Sequence, residues 1–251
     1  MKKIILYTIT ASMIFCNYAC SKENSLEKAH PSEGLYEKLE TAFQLSSTKQ
    51  LDQFFIDWNT SVSSNIADSI EQDDITKTIY EIYRELYSPL DLTRIGNWKW
   101  GNSSNSNSKY FMVQNRIYYA VVEKELLDSL HYKETYNSIN DFRPPLNLPK
   151  NKILYLLPKY EEALNKFLGT EETEDNKKRH EFVRPCIPIL YSHWGWYWRL
   201  ATPPEISFIL LSTDKTAAKV VFNIAFNGGE ATLEKNGNMW VVTKSEIIMK
   251  E

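Results

Sequence analysis

The chain is poor in the residue types that carry common catalytic and metal-binding chemistry. Its 251 residues include only 3 cysteines, 4 histidines and 8 glycines. No HExxH pair or cysteine cluster supplies the three or four ligands that zinc needs, and no glycine-rich phosphate loop or G-x-S-x-G elbow is present. Cys186 stands between Pro185 and Ile187, which predicts a small buried side chain rather than a nucleophile. We therefore expect no metal and no cofactor, and the common enzyme classes are disfavoured.

Excess positive charge and long hydrophobic runs are also missing. The formal net charge is −3 and no basic stripe is present, so we predict no nucleic-acid partner. A transmembrane helix needs about 20 consecutive apolar residues. The apolar run at the start of the chain, from Ile4 to Phe15, is too short to span a membrane.

That first run matches an export signal. Lys2 and Lys3 precede it, and the small residue Ala19 stands directly before Cys20. A positive start, an apolar centre and a small residue at the cleavage point mark a secretory signal. The stretch resembles bacterial lipoprotein signals, whose lipobox ends in a small residue and the cysteine that receives lipid. The resemblance implies that Cys20 carries acyl chains such as palmitate and anchors the protein to a membrane. An ordinary secretory signal with a chance cysteine is the alternative.

These features divide the chain into three parts. We predict a signal peptide over residues 1–19, a flexible tether over 20–32 and a single folded domain over 33–251. The three prolines of the stretch 141–149, DFRPPLNLP, make it the best candidate for a subdomain boundary. The lipoprotein resemblance implies a place in the cell envelope, at the outer membrane, facing the periplasm or the cell surface.

Helical patterns dominate the first part of the domain. Apolar residues recur at helical spacing behind Ser32, a predicted N-cap, and behind a capping-box pattern that starts at Ser47. A third stripe follows Asp73, whose charge suits the positive end of a helix dipole. A further helix is predicted between Pro158, at its first position, and Gly169, just past its end.

The last third of the chain has the clearest strand pattern. A charged run from Glu171 to Glu181, which predicts a surface loop with His180 exposed, precedes it. Apolar and polar residues then alternate with period two, and Asn227-Gly228-Gly229 and Asn236-Gly237 predict tight turns in an antiparallel meander. Because helical stretches come first and strands last, we predict an α+β fold. Its N-terminal helices would pack on a curved antiparallel sheet.

This order of elements resembles the nuclear transport factor 2-like fold. The resemblance covers the terminal meander, through a strand, a GG pair, a strand, an NG turn and Trp240 in the last strand. Such folds curve a sheet around helices into a cone with a cavity, and their members include enzymes, binding proteins and inert dimers. Function therefore does not follow from the fold. The whole chain, including HWGWYWRLATPPEI, also resembles Bacteroidota-type lipoproteins, and that resemblance implies no activity.

The segment from Tyr191 to Arg199 is the strongest candidate for a binding surface. An extended strand would place Trp194, Trp196 and Trp198 on one face and His193, Tyr197 and Arg199 on the other. Three tryptophans on one face predict a stacking platform for a sugar or another flat ligand. The alternative is that they fill the core, as buried aromatic residues commonly do. The candidate ligand-binding residues are Trp194, Trp196, Tyr197, Trp198 and Arg199.

Two hypotheses for function result. The preferred one is a lipid-anchored envelope module that binds a small molecule, a glycan or an envelope protein through an aromatic pocket or surface. The other is an envelope hydrolase or isomerase in which His193 acts as general base with a nearby carboxylate such as Glu205. A hydrogen-bonded structural role is the alternative for His193.

Overall fold

The protein is described from a computed structural model that covers residues 31–63, 73–95, 108–128, 136–192 and 195–249. The predicted signal peptide and Cys20 lie outside these residues, as does nearly all of the predicted tether. The described part contains five α-helices, which are α1 (Pro31–Gln44), α2 (Thr48–Ser63), α3 (Asp74–Leu86), α4 (Pro158–Leu168) and α5 (Glu174–Val183). None of the helices in these ranges has the length and apolar character needed to cross a membrane.

Side-chain caps explain where α2 and α3 begin. The Ser47 hydroxyl accepts a hydrogen bond from the Gln50 N–H at 3.3 Å, and the Asp73 carboxylate accepts one from the Thr76 N–H at 2.9 Å. Each cap satisfies a backbone donor that the first helical turn leaves without an internal partner. Both predicted starts are therefore confirmed. The prediction of Ser32 as an N-cap is wrong, because that residue already lies inside α1.

Helix α4 also has its predicted ends. Pro158 is its first residue, where a missing N–H costs nothing, and Gly169 follows its last residue with a φ of 70°. A side chain at Gly169 would meet the amide of Asn176 at 2.4 Å. The positive φ favours glycine at this position, and a larger residue would also displace the Asn176 side chain.

The prediction of an exposed loop from Glu171 to Glu181 is wrong, because α5 begins at Glu174 and includes the rest of that run. The Thr173 hydroxyl accepts a backbone hydrogen bond from the first turn at 3.1 Å and so caps the helix. Arg179 then ties α5 to α1, with its Nη1 atom 2.5 Å from Oε2 of Glu40. His180, expected to be exposed, is only 1% exposed because α5 turns it toward the interior.

Ten strands are described, and six of them form one sheet. The strands are β1 (Phe111–Gln114), β2 (Arg116–Val122), β3 (Asn137–Asn140), β4 (Ile153–Leu156), β5 (Ile189–Tyr191), β6 (Trp198–Leu200), β7 (Glu205–Ser212), β8 (Ala217–Ile224), β9 (Asn227–Asn236) and β10 (Met239–Met249). The six-stranded sheet has the order β10-β9-β8-β7-β2-β3, and only β2 and β7 run parallel. β1 pairs with β4, and β5 with β6. The α+β prediction is confirmed, with β7 to β10 as the terminal meander.

One of the two predicted turns of the meander lies elsewhere. Gly237, with a φ of 61°, does turn the chain between β9 and β10. The prediction of a turn at Asn227-Gly228-Gly229 is wrong. The chain reverses earlier, at Ala225 and Phe226, and β9 already begins at Asn227. A Cβ atom on Gly229 would lie 2.5 Å from the Phe222 ring and 2.9 Å from a backbone oxygen of β10. Close packing, rather than a turn, explains this glycine.

A large core joins the helices to the sheet, and a small second cluster surrounds Leu210 of β7. Trp58 of α2 stacks on Tyr160 of α4 with ring centroids 4.3 Å apart, and its Nε1–H donates to the Tyr155 carbonyl at 3.1 Å. Phe142, from the proline-rich stretch 141–149, is fully buried in the same core. Its ring packs edge-on against that of Tyr83 in α3, with the ring centroids 4.8 Å apart. Tyr83 lies in the last turn of α3, and α3 also packs against strands β7 and β10.

Candidate functional site

A cleft of about 840 Å³ lies between the end of α3, strands β1 and β2, helix α4 and the segment from Trp196 to Glu205. Small-molecule sites have volumes of roughly 300 to 1,000 Å³. Five residues proposed from the sequence line this cleft, and they are Trp196, Tyr197, Trp198, Arg199 and Glu205. His193 and Trp194 lie outside the described residues.

The aromatic segment forms a hairpin. Strand β5 ends at Tyr191 and β6 begins at Trp198, while the Ser192 N–H donates to the Tyr197 carbonyl at 2.8 Å. Gly195 has a φ of 71°, which a residue with a side chain rarely adopts. The segment is therefore not extended throughout, so strict alternation of its side chains does not apply.

The lining residues of the hairpin nevertheless divide into two pairs by their contacts. Trp196 and Trp198 both pack against His180, with ring centroids 5.0 and 4.9 Å away. On the other hand, Tyr197 and Arg199 contact Phe226, with the Tyr197 ring centroid 5.9 Å and the guanidinium carbon 4.8 Å from its ring. The hairpin thus links α5 on one side to the β8–β9 turn on the other.

His180 is a structural residue that holds the tryptophan pair in place. Its Nε2 atom lies 3.2 Å from the Leu168 carbonyl and its Nδ1 atom 2.6 Å from the Tyr191 hydroxyl. Burial lowers the pKa of His180, so the ring is neutral. Because the Leu168 carbonyl can only accept, Nε2–H donates to it and Nδ1 accepts a hydrogen bond from the Tyr191 hydroxyl. Trp198 is fixed in addition by its Nε1–H, which donates to the Gly169 carbonyl at 3.1 Å.

Arg199 and Glu205 face each other across the cleft wall. Arg199 Nη2 lies 2.6 Å from Glu205 Oε2. The two groups form an ion pair, but the N–H bond does not point at the oxygen closely enough for a hydrogen bond. The same Nη2 group donates to the Ala225 carbonyl, in the turn where Ala225 has a φ of 53°. The guanidinium group is therefore held from behind by the β8–β9 turn while it faces the carboxylate.

Glu205 is the carboxyl group in the cleft with the most altered acidity. Burial raises the pKa of Glu205 from an ordinary 4.5 to about 7, and the attraction of Arg199 offsets only part of that increase. Near neutral pH this carboxyl group therefore exists in both protonation states. Groups with this property are suited to exchange a proton with a ligand.

Two tyrosines at the base of the cleft complete the site. Tyr83 and Tyr87 are 0% and 6% exposed, and both line the cleft. Burial raises the pKa of each hydroxyl well above its usual value, and the charge of Glu205 adds to the effect, so both tyrosines are neutral. The sequence predicts a helical stripe behind Asp73 but singles out neither tyrosine as a site residue.

Unpaired polar atoms are concentrated at this cleft. Six buried side-chain nitrogen or oxygen atoms among the described residues have no hydrogen-bond partner there, and five belong to residues that line the cleft. These five are Tyr83 Oη, Tyr87 Oη, Trp196 Nε1, Arg199 Nε and Glu205 Oε2. Each buried polar group without a partner costs about 1 to 3 kcal/mol. Each of the five atoms has less than 1 Å² of accessible surface, and Glu205 Oε2 is in addition ion-paired with Arg199, so these atoms lie enclosed beside the cleft rather than open to it.

Other parts of the described structure offer less chemistry. Across the ranges covered, no group of three or more His, Cys, Asp or Glu side chains is arranged to hold a metal ion. Cys186 is buried as predicted, and burial raises the pKa of its thiol to about 12, so it remains a protonated, unreactive thiol.

No family model, curated protein or solved structure matches this chain. The resemblances to bacterial lipoproteins and to the nuclear transport factor 2-like fold therefore remain predictions.

Proposed function

We propose that this chain is a lipid-anchored module of the bacterial cell envelope that binds a small molecule in the cleft beside Arg199 and Glu205. The observation that carries the binding proposal is a cleft of about 840 Å³ whose lining joins aromatic side chains to the ion pair of Arg199 and Glu205. A charged pair beside an aromatic wall gives a ligand both polar groups that fix its orientation and apolar surface to cover.

The shape and composition of the cleft support the same proposal. It combines aromatic and apolar walls with a few polar groups that are held in fixed positions, which is the usual composition of a small-molecule site. Arg199 is held by Ala225 and Phe226, and Trp198 by Gly169. Because these groups are already ordered, little conformational entropy would be lost when a ligand binds.

The anchoring part of the proposal rests on the first twenty residues. Lys2, Lys3, the apolar run and Ala19-Cys20 support export followed by acylation of Cys20. Acyl chains hold a protein at a membrane because each buried methylene contributes about 0.8 kcal/mol. The folded domain would then be tethered to the membrane surface.

A cleft-blocking variant tests the binding proposal. Thr170 is exposed at the rim, so Thr170→Trp would obstruct the cleft without changing the core. Thr243→Trp, at an exposed position of β10, is the matched control. We expect a screen of saccharides, nucleosides, amino acids and carboxylic acids to yield a compound that raises the Tm of the wild type and of Thr243→Trp but not of Thr170→Trp. Equal shifts in all three proteins would contradict binding in the cleft.

A second candidate function is proton-transfer catalysis in the same cleft, as in a hydrolase or isomerase. The observation that favours it is the Glu205 carboxyl group, whose pKa of about 7 suits a general acid or base. The partner proposed from the sequence is His193. If the compound found in the screen is also converted, Glu205→Gln and His193→Ala should each slow its turnover by at least about 100-fold. Unchanged turnover in Glu205→Gln would contradict this candidate.

A further inference from the structure

Part of the hairpin beside the cleft forms an aromatic arm, residues 195–198, which packs against the corner between α4 and α5. Trp198 donates its Nε1–H to the Gly169 carbonyl, just past the end of α4, at 3.1 Å. Trp196 and Trp198 both pack on the ring of His180 in α5, with centroids 5.0 and 4.9 Å away. A hydrogen bond and ring packing thus attach the arm to this corner.

The hydrogen bonds of His180 require a neutral ring. Its Nε2–H donates to the Leu168 carbonyl at 3.2 Å, and its Nδ1 accepts from the Tyr191 hydroxyl at 2.6 Å. A proton on Nδ1 would turn that acceptor into a donor, so the ring and the hydroxyl would both direct a proton into the same short contact. The Tyr191 hydroxyl would have to turn its own proton away and lose the hydrogen bond that it donates.

The surroundings of His180 also oppose a positive ring. Arg184, at the end of α5, lies over the Tyr191 ring with its guanidinium carbon 5.3 Å from the centroid, and its charge acts on His180. Glu181, the next residue of α5, acts on Tyr191. The Leu168 carbonyl at the end of α4 favours a cation, whereas the arm contributes uncharged indole rings. Burial outweighs that attraction and lowers the pKa of His180.

We propose that His180 makes the attachment of the aromatic arm sensitive to pH, so that the arm leaves the corner between α4 and α5 when the ring is protonated. Because the arm forms one wall of the cleft, acid opens that wall. The inference concerns the wall itself and holds whether or not a ligand binds. Histidine ordinarily has a pKa of about 6.5, so the released state takes up a proton below that pH, whereas the attached state disfavours it. From pH 7.5 to pH 5.5 the released population should rise several-fold, and by at most about tenfold.

Two indole N–H groups of the same protein test this proposal. The Trp198 Nε1–H, on the Gly169 carbonyl, reports the arm. The Trp58 Nε1–H donates to the Tyr155 carbonyl at the same distance of 3.1 Å and reports the core. Hydrogen exchange of both groups is followed by NMR on the isotope-labelled full-length chain, with the signals assigned from Trp198→Phe and Trp58→Phe. Each rate is divided by that of N-acetyltryptophan amide at the same pH, because intrinsic exchange itself depends on pH.

The wild type alone gives two decisive comparisons. We expect Trp198 to exchange faster than Trp58 at pH 7.5 and at pH 5.5, because the arm is released without unfolding of the core. The normalised rate of Trp198 should rise several-fold between these two pH values. Equal normalised rates for the two groups would mean that the arm leaves only when the whole domain unfolds, and would overturn the proposal. A Trp198 rate that does not rise in acid would overturn it as well.

Three variants assign the response to His180. His180→Gln replaces the ring with a neutral amide that does not titrate, so the rise in the Trp198 rate should disappear. His193→Gln is the matched control, because it removes the histidine that follows Tyr191 by two residues. Glu205→Gln removes a carboxyl group that titrates near the same pH. We expect both controls to keep the rise. A rise that persists in His180→Gln, or that disappears in either control, would assign the response to another group and overturn the proposal.

Discussion

The rings of Tyr83 and Tyr87 stack at the end of α3 with centroids 5.3 Å apart and planes 18° apart. Neither hydroxyl oxygen has a hydrogen-bond partner among the residues that the structure describes. The stack fixes both hydroxyl groups at the base of the cleft, within range of the Glu205 charge. Their burial without a partner therefore costs stability in the folded protein.

Removing one of these hydroxyl groups should stabilise the ligand-free protein. We expect Tyr87→Phe to raise the free energy of unfolding by about 1 kcal/mol, because it removes a buried polar atom that has no partner. Tyr155→Phe is the matched control, since the Tyr155 hydroxyl donates to the Pro144 carbonyl at 2.5 Å. That variant should lose about 1 kcal/mol in the same urea titration. A loss of equal size in Tyr87→Phe would mean that its hydroxyl has a partner in solution.

The raised pKa of Glu205 predicts how stability depends on pH. The native state holds the Glu205 proton between the ordinary pKa of 4.5 and about 7, whereas the unfolded state releases it, so stability falls as the pH rises through this range. From pH 5 to pH 8 the wild type should lose roughly 2 to 3 kcal/mol relative to Glu205→Gln. Urea titrations of both proteins at the two pH values measure this difference.

Comparison with the variant is necessary because the pKa shift of His180 changes the pH dependence of stability in the opposite direction. Its lowered pKa makes the native state bind fewer protons than the unfolded state, so its contribution rises with pH. Tyr83 and Tyr87, whose pKa values are raised by burial, stay neutral throughout this range. Parallel pH profiles for wild type and Glu205→Gln would contradict the assignment of the raised pKa to Glu205.

The two adjacent glycines of β9 should respond differently to a methyl group. At Gly229 a Cβ atom would lie 2.5 Å from the Phe222 ring and 2.9 Å from a backbone oxygen of Glu246. We expect Gly229→Ala to lower the free energy of unfolding by about 1 to 3 kcal/mol, as overpacking does. Gly228→Ala, whose nearest contact is 3.4 Å away, should change it by less than about 0.5 kcal/mol. Equal effects in thermal unfolding would show that packing against Phe222 is not the cause.

The predicted lipid anchor can be tested with the two cysteines of the first segment. Cys20 follows the small residue Ala19, whereas Cys16 follows Phe15 and should not be processed. Cells that express each variant are labelled with an alkyne-bearing palmitate and then fractionated. We expect Cys20→Ser to lose the label and leave the membrane fraction, and Cys16→Ser to keep both. Label retained in Cys20→Ser would rule out Cys20 as the acylation site.

Local signals in the sequence predicted local structure well. The caps at Ser47 and Asp73 and the ends of α4 at Pro158 and Gly169 all depend on residues within a few positions of one another. The prediction failed at Gly229, where a glycine that usually marks a turn is needed for contact with another strand. Long-range packing decided this case, and sequence spacing does not report it.

The candidate site was likewise predictable where its residues are close together in the sequence, and not where long-range packing adds residues to it. The hairpin residues Trp196 to Arg199 and the carboxylate of Glu205 could be named from the sequence, because aromatic and charged residues are concentrated there. Tyr83 and Tyr87 could not, since α3 meets the hairpin only through the tertiary fold. A helical stripe predicts a buried face, but not which of its polar atoms remains without a partner.

The contact of Arg199 with the β8–β9 turn has a consequence for interpreting sequence variation. Ala225 and Phe226 lie outside the cleft lining, yet their carbonyl and ring orient the guanidinium group that faces Glu205. A substitution at either residue could change ligand affinity without touching the ligand. Among relatives of this chain, we expect an aromatic residue at 226 to accompany Arg199, whereas the carbonyl at 225 is available from any residue that adopts the same turn.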